Sequence, residues 1–580
     1  MAEKQLISLQ DQYEVSTTMS FTTGVCVWFN KKRDRAGIYS MIHQGRFCSV
    51  VVVIVFFLSG CAKVGPNFLQ PEVTVSPKWL ETGDDRTRDG SVDYRNWWQA
   101  FNDRALDRLI ERAYRENLSL GIAGVRVLEA RAQLGIAVGE LYPQNQQAFG
   151  SLEYNRLSQG SLQNAGFLES TGSTAAAAST PSFPLQYWQS QVGVMASWEI
   201  DFWGKFRRAI ESANAGWLAS VANYDNALVS LTADVANSYI TIRTIEKRIV
   251  IANENVETQK ESLKIADAKF QFGTATQLDV EQARTALNDT LASIPALETQ
   301  LRQAKDALSV LLGLSPSDLA DFLEGASEIP VSPREIVVGI PADLLRRRPD
   351  IRSAEYQAMA QSAQIGVAKA DLYPAFSLAG NFSFLSTDIG QSKLSDMFKW
   401  GDRAIGAGPS FQWNILNYGQ ITNNVRVQDA RFQELLITYQ QAVLSAQQDV
   451  EDNLVAFLKA QDRAQFLARS TEAAKRAFDL AVLQYRKGIK DFTTVLIAQQ
   501  ALLNEQDNLA STLGNISSSL VGVYRALGGG WGIREGKELV PPEVRQEMAK
   551  RTNWGKLLSP AAYNPRIFEE ASPPLRLPDW

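Results

Sequence analysis

The segment Lys205–Gln271 decides the architecture of this chain. It opens with KFRRAIESANAGWLASVANYDNALVSLTADVANSYITI (205–242), and its 67 residues include one glycine and no proline. Apolar or small residues recur at alternating steps of three and four, which predicts one continuous helix with a heptad-like apolar stripe. The stripe comprises Phe206, Ile210, Ala213, Trp217, Val221, Tyr224, Leu228, Leu231, Val235, Tyr239 and Ile242. Such a helix would be about 100 Å long, far beyond the usual three turns.

A second segment, Gln420–Arg486, repeats this pattern without any glycine or proline. Trp198 and Gly273 recur as Trp413 and Gly488, at one common offset (413 − 198 = 488 − 273 = 215). Two copies of one structural unit therefore form the body of the chain. Because glycine suits the left-handed conformation that often ends a helix, each long helix is predicted to fold back at Gly273 or Gly488.

Shorter helical segments flank each long one. They are Asn102–Leu141, Thr276–Leu312, Ala342–Leu372 and Asp491–Leu527. Since each covers about half the length of a long helix, one long helix is predicted to pair with two short helices stacked end to end. Pro295 should bend the helix that contains it.

Four other segments alternate in polarity with period two and carry aromatic residues, which predicts β-strands. They lie at about 147–156, 188–200, 375–386 and 403–414, two in each repeat. Four strands cannot close a barrel, and an open sheet edge cannot lie in lipid. The sheet is therefore either covered outside the membrane or completed by other copies. Three copies would supply twelve strands, an even number within the range of outer-membrane barrels.

Composition limits the chemistry that this 580-residue chain can perform. Its only histidine is His43, and its three cysteines are Cys26, Cys48 and Cys61. The rest of the chain therefore lacks the groups needed for Cys/His zinc sites, Ser-His-Asp triads and cysteine nucleophiles. Carboxylate-only catalysis survives this test, but we expect no enzyme, no cofactor and no metal site. A net charge of −5 gives no reason to expect a nucleic-acid partner.

The N-terminal region resembles a secretion signal. The nine apolar residues Val50–Leu58 are too few to span a bilayer and fit a signal-peptide core. Leu58–Cys61 resembles the bacterial lipobox, which predicts a diacylated and N-acylated Cys61; a buried core segment with a chance cysteine is the alternative. By resemblance to lipoprotein sorting, Ala62 favours outer-membrane delivery. Residues 1–40 fit no signal peptide, which suggests a start codon assigned too early.

Several motifs together resemble the TolC-like outer-membrane factors, specifically the lipoprotein branch typified by OprM and NodT. They are Lys63–Val73 after the lipobox cysteine, Trp97–Asp103 before the first helix, the two Leu-Tyr-Pro sites and the glycine turns. The resemblance covers about Cys61 to Gly532. It implies a homotrimer with a twelve-stranded outer-membrane β-barrel and a periplasmic α-helical barrel bearing an equatorial collar. It also implies contacts with outer-membrane lipid, a periplasmic adaptor and an inner-membrane transporter of the RND type.

The resemblance further implies a gate at the periplasmic end, closed by polar links of the second repeat. Asp279 matches a position that accepts a hydrogen bond from the tyrosine matching Tyr485, and Lys490 aligns with a basic gate residue. Asp279 can equally be an ordinary helix-start carboxylate, which the helix dipole favours. Gly273 and Gly488 mark the hairpin tips expected to meet the adaptor.

One part of the family's gate is not found in this sequence. Where relatives have aspartates one and two turns beyond the hairpin, this chain has Thr494 and Ile497, and Gln500 replaces a residue that is basic in OprM. An apolar constriction at Ile497, or a charge supplied from a shifted position by Asp491, would then replace an acidic ring.

These patterns divide the chain into six regions. They are residues 1–60 (upstream extension and lipoprotein signal peptide), 61–101 (acylated N-terminal and equatorial segment), 102–313 (repeat 1), 314–341 (equatorial linker), 342–528 (repeat 2) and 529–580 (tail). The tail contains two Pro-Pro pairs and no clear helical pattern. We expect it either to wrap the equatorial collar or to be disordered.

The sequence therefore predicts the exit duct of a tripartite pump that carries small molecules out of the periplasm. One alternative is a lipid-anchored periplasmic coiled-coil scaffold without a pore, and another is the exit duct of a type I protein secretion system. A carboxylate-dependent enzyme would need a cleft, for which helices of this length leave no obvious place.

Overall fold

The computed structural model describes residues 63–73, 75–90, 93–158, 186–324, 328–339, 346–389 and 393–560. Cys61 and the apolar segment before it lie outside the described residues. The helices are α1 (Arg104–Glu116), α2 (Leu118–Gly139), α3 (Lys205–Gln271), α4 (Gln277–Leu311), α5 (Ala320–Leu323), α6 (Pro349–Ala370), α7 (Gln420–Arg486), α8 (Phe492–Ala526) and α9 (Pro542–Arg551). The strands are β1 (Thr87–Asp89), β2 (Asn145–Arg156), β3 (Gln186–Ile200), β4 (Ile336–Val338), β5 (Ala375–Thr387) and β6 (Arg403–Gln412).

The two long helices, α3 and α7, begin and end at the predicted residues. Each ends in the same way, at a glycine with φ of 70°. After α3, the Thr274 N–H donates to the Lys269 carbonyl (2.8 Å) and the Gly273 N–H to the Phe270 carbonyl (2.9 Å). This pair of bonds is the Schellman arrangement, which satisfies carbonyls that the end of a helix leaves free. The prediction that both helices fold back at glycine is confirmed.

The shorter helices differ from the predicted ones at two places. The segment predicted as one helix over Asn102–Leu141 is two helices, because Asn117 adopts an extended conformation and its side chain caps α2 through the Leu120 N–H (2.8 Å). In the second repeat, α6 begins only at Pro349, whose fixed φ suits the first turn of a helix. Helix α4 continues through Pro295 from Gln277 to Leu311. Among the described residues, no helix is both long and apolar enough to cross a membrane.

The predicted strands form one antiparallel sheet with the order β2-β3-β5-β6. Its register separates a mainly apolar face from a mainly polar one, because side chains alternate along each strand. The apolar face contains Leu152, Tyr154, Val192, Val194, Trp198, Ile200, Phe376, Leu378, Phe382, Phe384, Ile405 and Phe411. The opposite face contains Asn145, Gln147, Ser151, Glu153, Gln189, Gln191, Ser197, Ser377, Asn381, Ser383, Ser410 and Gln412. Strands β2 and β6 are the two edges of this sheet.

Residues 61–101 and 314–341 contain two short strands that the sequence did not predict. Strand β1 pairs in parallel with β4, which joins two segments far apart in the chain. The tail is also structured as far as residue 560: α9 follows Leu539 and Val540, which are fully buried in the main hydrophobic core. Of the two alternatives for the tail, disorder is therefore wrong for residues 529–560, which pack against the main core. Residues 561–580 lie outside the described part.

An ion-pair network fastens the N-terminal equatorial segment to α7. Asp84 accepts hydrogen bonds from the Arg86 guanidinium (2.8 and 2.7 Å), which also donates to Asp462 (2.8 Å) and to the Leu458 carbonyl (3.1 Å). The hydrogen bond from Arg86 lowers the pKa of Asp84 from 3.8 to about 2. The network therefore ties residues 84–86 to the middle of a long helix.

This lowered pKa predicts a pH dependence. A carboxylate with a depressed folded-state pKa stabilises the fold above its unfolded value and loses that contribution as pH falls through the folded value. At about pH 5 we therefore expect wild type to have a higher melting temperature than Asp84→Asn. This difference in melting temperature should vanish as the pH approaches about 2. Thermal melting of both proteins across this range measures it. A difference that stays constant down to the lowest pH would contradict the assignment.

Candidate functional site

The ends of both helical hairpins pack together into a small apolar cluster that is separate from the main core. Its buried members come from α3, α4, α7 and α8: Ala266, Val280, Ala283, Phe478, Ala481, Tyr485, Phe492, Val495 and Leu502. The predicted gate residues all lie on or near this cluster. The first and second repeats are thus in contact at the hairpin ends, where the sequence predicts the periplasmic gate.

Tyr485 lies at the centre of this cluster. Its ring packs edge-on against Phe492 at 5.3 Å, and the Lys269 ammonium lies 4.6 Å from the ring centroid. Its buried hydroxyl has no hydrogen-bond partner within the described chain. Burial, with a smaller contribution from Asp279, raises the pKa of Tyr485 to about 12. Tyr485 is therefore neutral at physiological pH and contributes mainly through its ring.

Asp279 caps a helix rather than bonding to Tyr485. Its carboxylate accepts the Thr276 N–H (3.1 Å), while the Thr276 hydroxyl accepts the Asp279 N–H (3.3 Å). This reciprocal pair is a capping box at the start of α4. Of the two interpretations of Asp279, the chain by itself shows the helix-start carboxylate, and the expected Asp279–Tyr485 hydrogen bond is not formed in it.

The corresponding start of α8 is capped by Asp491. Its carboxylate accepts both the Thr494 hydroxyl (2.8 Å) and the Thr494 N–H (3.2 Å), and these bonds lower the pKa of Asp491. Asp491 is thus ionised and exposed, and Thr494 is its hydrogen-bond partner. Lys490 and Gln500 are exposed. Ile497 is 66% exposed on the surface of the isolated chain.

The glycines at the two hairpin tips are exposed. A Cβ added to Gly273 or Gly488 would meet no atom within 4 Å. Glycine is therefore required at these tips by the positive φ and not by close packing. The tips remain free in the isolated chain to contact another molecule.

Polar links that the sequence did not reveal join the first hairpin to the second. The Arg248 guanidinium binds both oxygens of Asp507 (2.7 and 3.1 Å), and Arg486 binds Glu261 (2.6 Å). Asn255 donates to the Gln506 side chain (2.8 Å). These residues are ordinary charged or amide positions on long helices, so no motif identifies them. Only the packing of α3 against α8 and α7 pairs them.

The hydroxyl of Tyr485 yields a prediction of its own. Tyr485→Phe is expected to leave stability unchanged or to raise it by up to about 1 kcal/mol, because it removes a buried group without a partner. Tyr239→Phe is the matched control: its hydroxyl donates to Asp103 at 2.7 Å, and its loss should cost about 1–3 kcal/mol. Thermal unfolding compares the two variants. Equal destabilisation by both would contradict the assignment.

A family model described as "Outer membrane efflux protein" matches residues 109–314 and 340–529, which are the two repeats. The chain belongs to the outer membrane efflux protein family. The resemblance to the TolC-like outer-membrane factors is thereby confirmed, together with the predicted efflux function and the mainly helical fold with a small β part. The two matched ranges coincide closely with the internal repeat seen in the sequence.

This outer membrane efflux protein is similar to curated relatives along nearly their whole length. It is 30% identical to nodulation protein T of Rhizobium leguminosarum bv. viciae over 521 residues, 90% of this chain and 100% of the relative. It is 32% identical to the pyoverdine export outer membrane protein OpmQ of Pseudomonas aeruginosa over 447 residues, 77% of this chain and 89% of the relative.

Solved structures show the same fold. The outer-membrane channel OprN superposes with a TM-score of 0.72 at 30% identity, covering 81% of this efflux protein and 99% of OprN. The Campylobacter jejuni CmeC outer membrane channel superposes with a TM-score of 0.68 at 23% identity, covering 85% and 99% of the two chains. The long paired helices and the four-stranded sheet are therefore the fold of outer-membrane channels.

Proposed function

We propose that three copies of this protein form the exit duct of a tripartite efflux pump, with their strands pooled into one twelve-stranded outer-membrane barrel. The observation that carries this proposal is the four-stranded sheet, which is apolar on one face, polar on the other and has two edge strands. Membrane barrels face lipid with apolar side chains and the lumen with polar ones, and they have no open edge. Three such sheets, joined β6 to β2, meet both conditions.

Conductance tests the duct directly. The purified trimer, reconstituted into planar lipid bilayers, should conduct ions, and its band on a gel should shift to the monomer on heating. A periplasmic coiled-coil scaffold would conduct nothing and would be released from outer-membrane fractions by removal of the lipid anchor.

The proposed anchor is an acylated Cys61, which lies outside the described residues. Two or three acyl chains would hold the protein on the membrane, at about 0.8 kcal/mol per buried CH₂. Mass spectrometry of the mature N-terminus tests this point. A mature chain that begins at Cys61 with added lipid supports it, and an unmodified Cys61 overturns it.

The hairpin ends are the proposed periplasmic gate. The residues concerned are those predicted from the sequence, Asp279, Tyr485, Lys490, Asp491, Thr494 and Ile497, together with the observed links between the hairpins. The Arg248–Asp507 and Arg486–Glu261 pairs would hold the second hairpin against the first in the closed state. Ile497, exposed on the isolated chain, would provide an apolar constriction where relatives have an acidic ring.

The proposed partners are a periplasmic adaptor at the tips marked by Gly273 and Gly488 and an inner-membrane transporter of the RND type. The proposed cargo is small molecules, since relatives are named for pyoverdine export and for toluene efflux. Expression in a strain that lacks its own duct, beside a matched adaptor and transporter, should restore resistance to small toxic compounds. Restored secretion of a protein without such resistance would favour the type I alternative.

A further inference from the structure

The segment that follows Cys61 is fastened across the junction between the sheet and the long helix α3. We call residues 63–68 the strap. The Val64 N–H donates to the Trp203 carbonyl (3.0 Å), just after β3 ends. Lys63 pairs with Glu211 and lies against Gly204, the residue that precedes α3. The strap is therefore held by both the end of a strand and the start of a helix.

Arg208 provides most of the polar contacts with the strap. Its side chain is almost fully buried, and its guanidinium donates to the Val64 carbonyl, the Gly65 carbonyl and the Asn67 side chain, each at 3.0 Å. The remaining bond goes to Glu211 one turn along the helix (2.8 Å). A guanidinium presents several donors in one rigid plane, an arrangement that a lysine cannot reproduce. Three of its four described bonds thus recognise the strap.

The strap also fits too closely against α6 for a larger residue. A Cβ at Gly65, where φ is +91°, would lie 2.4 Å from the Gly366 Cα. A Cβ at Gly366 would lie 2.8 Å from both the Val64 carbonyl oxygen and the Arg208 side chain. These two glycines allow the strap and helix backbones to touch. The strap is therefore a specifically recognised segment of the fold.

Chain geometry then limits where the anchor can lie. Only Ala62 lies between Cys61 and Lys63, and two residue steps along the chain span at most about 7 Å. Trp203, at the same junction, stacks on Tyr373 with ring centroids 4.6 Å apart. Tryptophan and tyrosine are typical of the membrane interface. An acyl group on Cys61 would therefore enter the bilayer close to the start of α3.

We propose that Arg208 is a positioning residue that clamps the strap and so delivers the acylated N-terminus to the strand–helix junction. This proposal rests on the proposed acylation of Cys61. The clamp couples lipid anchoring to insertion of the sheet. Because the strap is bound at the end of β3, the anchor holds this end of the strand at the membrane surface. Loss of the clamp leaves the lipid attached by a flexible segment that no longer orients the sheet.

Trypsin cleavage at Lys63 tests the clamp in the acylated protein in membranes. The bond after Lys63 should resist trypsin in wild type and be cleaved at least about tenfold faster in Arg208→Ala, since charge-assisted hydrogen bonds of this kind each shift an opening equilibrium by about that factor. Gly65→Ala changes only the strap and should have the same effect, which guards against misfolding of α3. Arg284→Ala removes an exposed pair with Glu281 and should behave as wild type. Unchanged cleavage in both strap variants would overturn the clamp.

A double-variant comparison separates positioning from simple support of the helices. Arg208→Ala should reduce the yield of heat-modifiable trimer in the outer membrane at least about tenfold in the acylated protein, since tenfold is the factor expected from losing one such bond. In a Cys61→Ser background it should cause no further loss, because no anchor remains to be positioned. An equal loss in both backgrounds would reduce Arg208 to a structural residue and overturn the proposal. Mass spectrometry of the wild-type N-terminus reports separately whether acylation itself occurs.

Discussion

Asp225→Ala is expected to destabilise the protein by about 3–5 kcal/mol, because it leaves buried positive charge without its carboxylate. Asp225 on α3 is fully buried and binds the guanidinium of Arg534, which is itself 2% exposed; their second hydrogen bond is 3.1 Å long. Arg352 lies 3.7 Å from the same carboxylate. Trp531 has both arginines against its ring, at 5.5 and 5.9 Å. This cluster fastens the start of the C-terminal tail to the first long helix.

Thermal unfolding of the purified protein measures this effect. Glu281→Ala, which breaks an exposed pair with Arg284, is the matched control and should cost at most about 1 kcal/mol. The double variant Asp225→Leu with Arg534→Met should recover most of the lost stability, since replacing a buried pair by apolar residues of similar volume is often neutral. Wild-type stability in Asp225→Ala alone would mean that the pair does not hold the tail.

The second large effect is expected at the proposed gate. Arg248→Ala combined with Arg486→Ala removes two links between the hairpins in each copy, or six in a trimer. At about 0.5 kcal/mol for each exposed or half-exposed pair, six links amount to about 3 kcal/mol, which shifts a closed-to-open equilibrium about 100-fold. The double variant should therefore show a strongly raised open probability in planar bilayers.

The control for this experiment lies on the same helix. Arg476 pairs with Glu472 at 2.6 Å, the same distance as Arg486 to Glu261, but both residues of that control pair belong to α7. Arg476→Ala should therefore leave the channel closed. Exchanging the charges of the other pair, Arg248→Asp with Asp507→Arg, in the Arg486→Ala background should restore part of the closure that the double variant loses. Opening by Arg476→Ala to the same extent would show that lost charge, and not the lost link, opens the channel.

The sequence predicted the long helices and the four strands of the main sheet well but missed the shortest strands, for a physical reason. A helix such as α3 is defined by an apolar stripe that continues for many turns, so many residues carry the same periodic pattern. Strands β1 and β4 have three residues each and exist because two distant segments meet. No local pattern encodes such a meeting. The packed tail was missed for a similar reason. Leu539 and Val540 are apolar residues in a proline-containing segment without a periodic pattern, and they are ordered by packing into the main core.

The hairpin ends were predicted in place, but the contacts of their side chains were not. The turns at Gly273 and Gly488 located the hairpin ends, and Tyr485 does lie in the cluster that joins them. The hydrogen-bond partners of these side chains could not be predicted. A carboxylate near a helix start can either cap its own helix or bind a residue of another helix. Asp279 is used to cap its own helix, and the links between hairpins come from charged residues far from any motif.

Disulfide cross-linking between copies tests the central claim, that neighbouring sheets join at β6 and β2. After Cys61 the chain has no cysteine, so introduced pairs report unambiguously. Ile405→Cys on β6 is combined in turn with a cysteine at each even position of β2 from Gln146 to Tyr154, to sample the register. Phe376→Cys with Phe411→Cys, adjacent in one sheet, serves as the control for pairing within a chain. Oxidation should yield covalent species of two and three copies and none larger; monomers at every register, or a ladder that continues past three, would contradict the shared barrel.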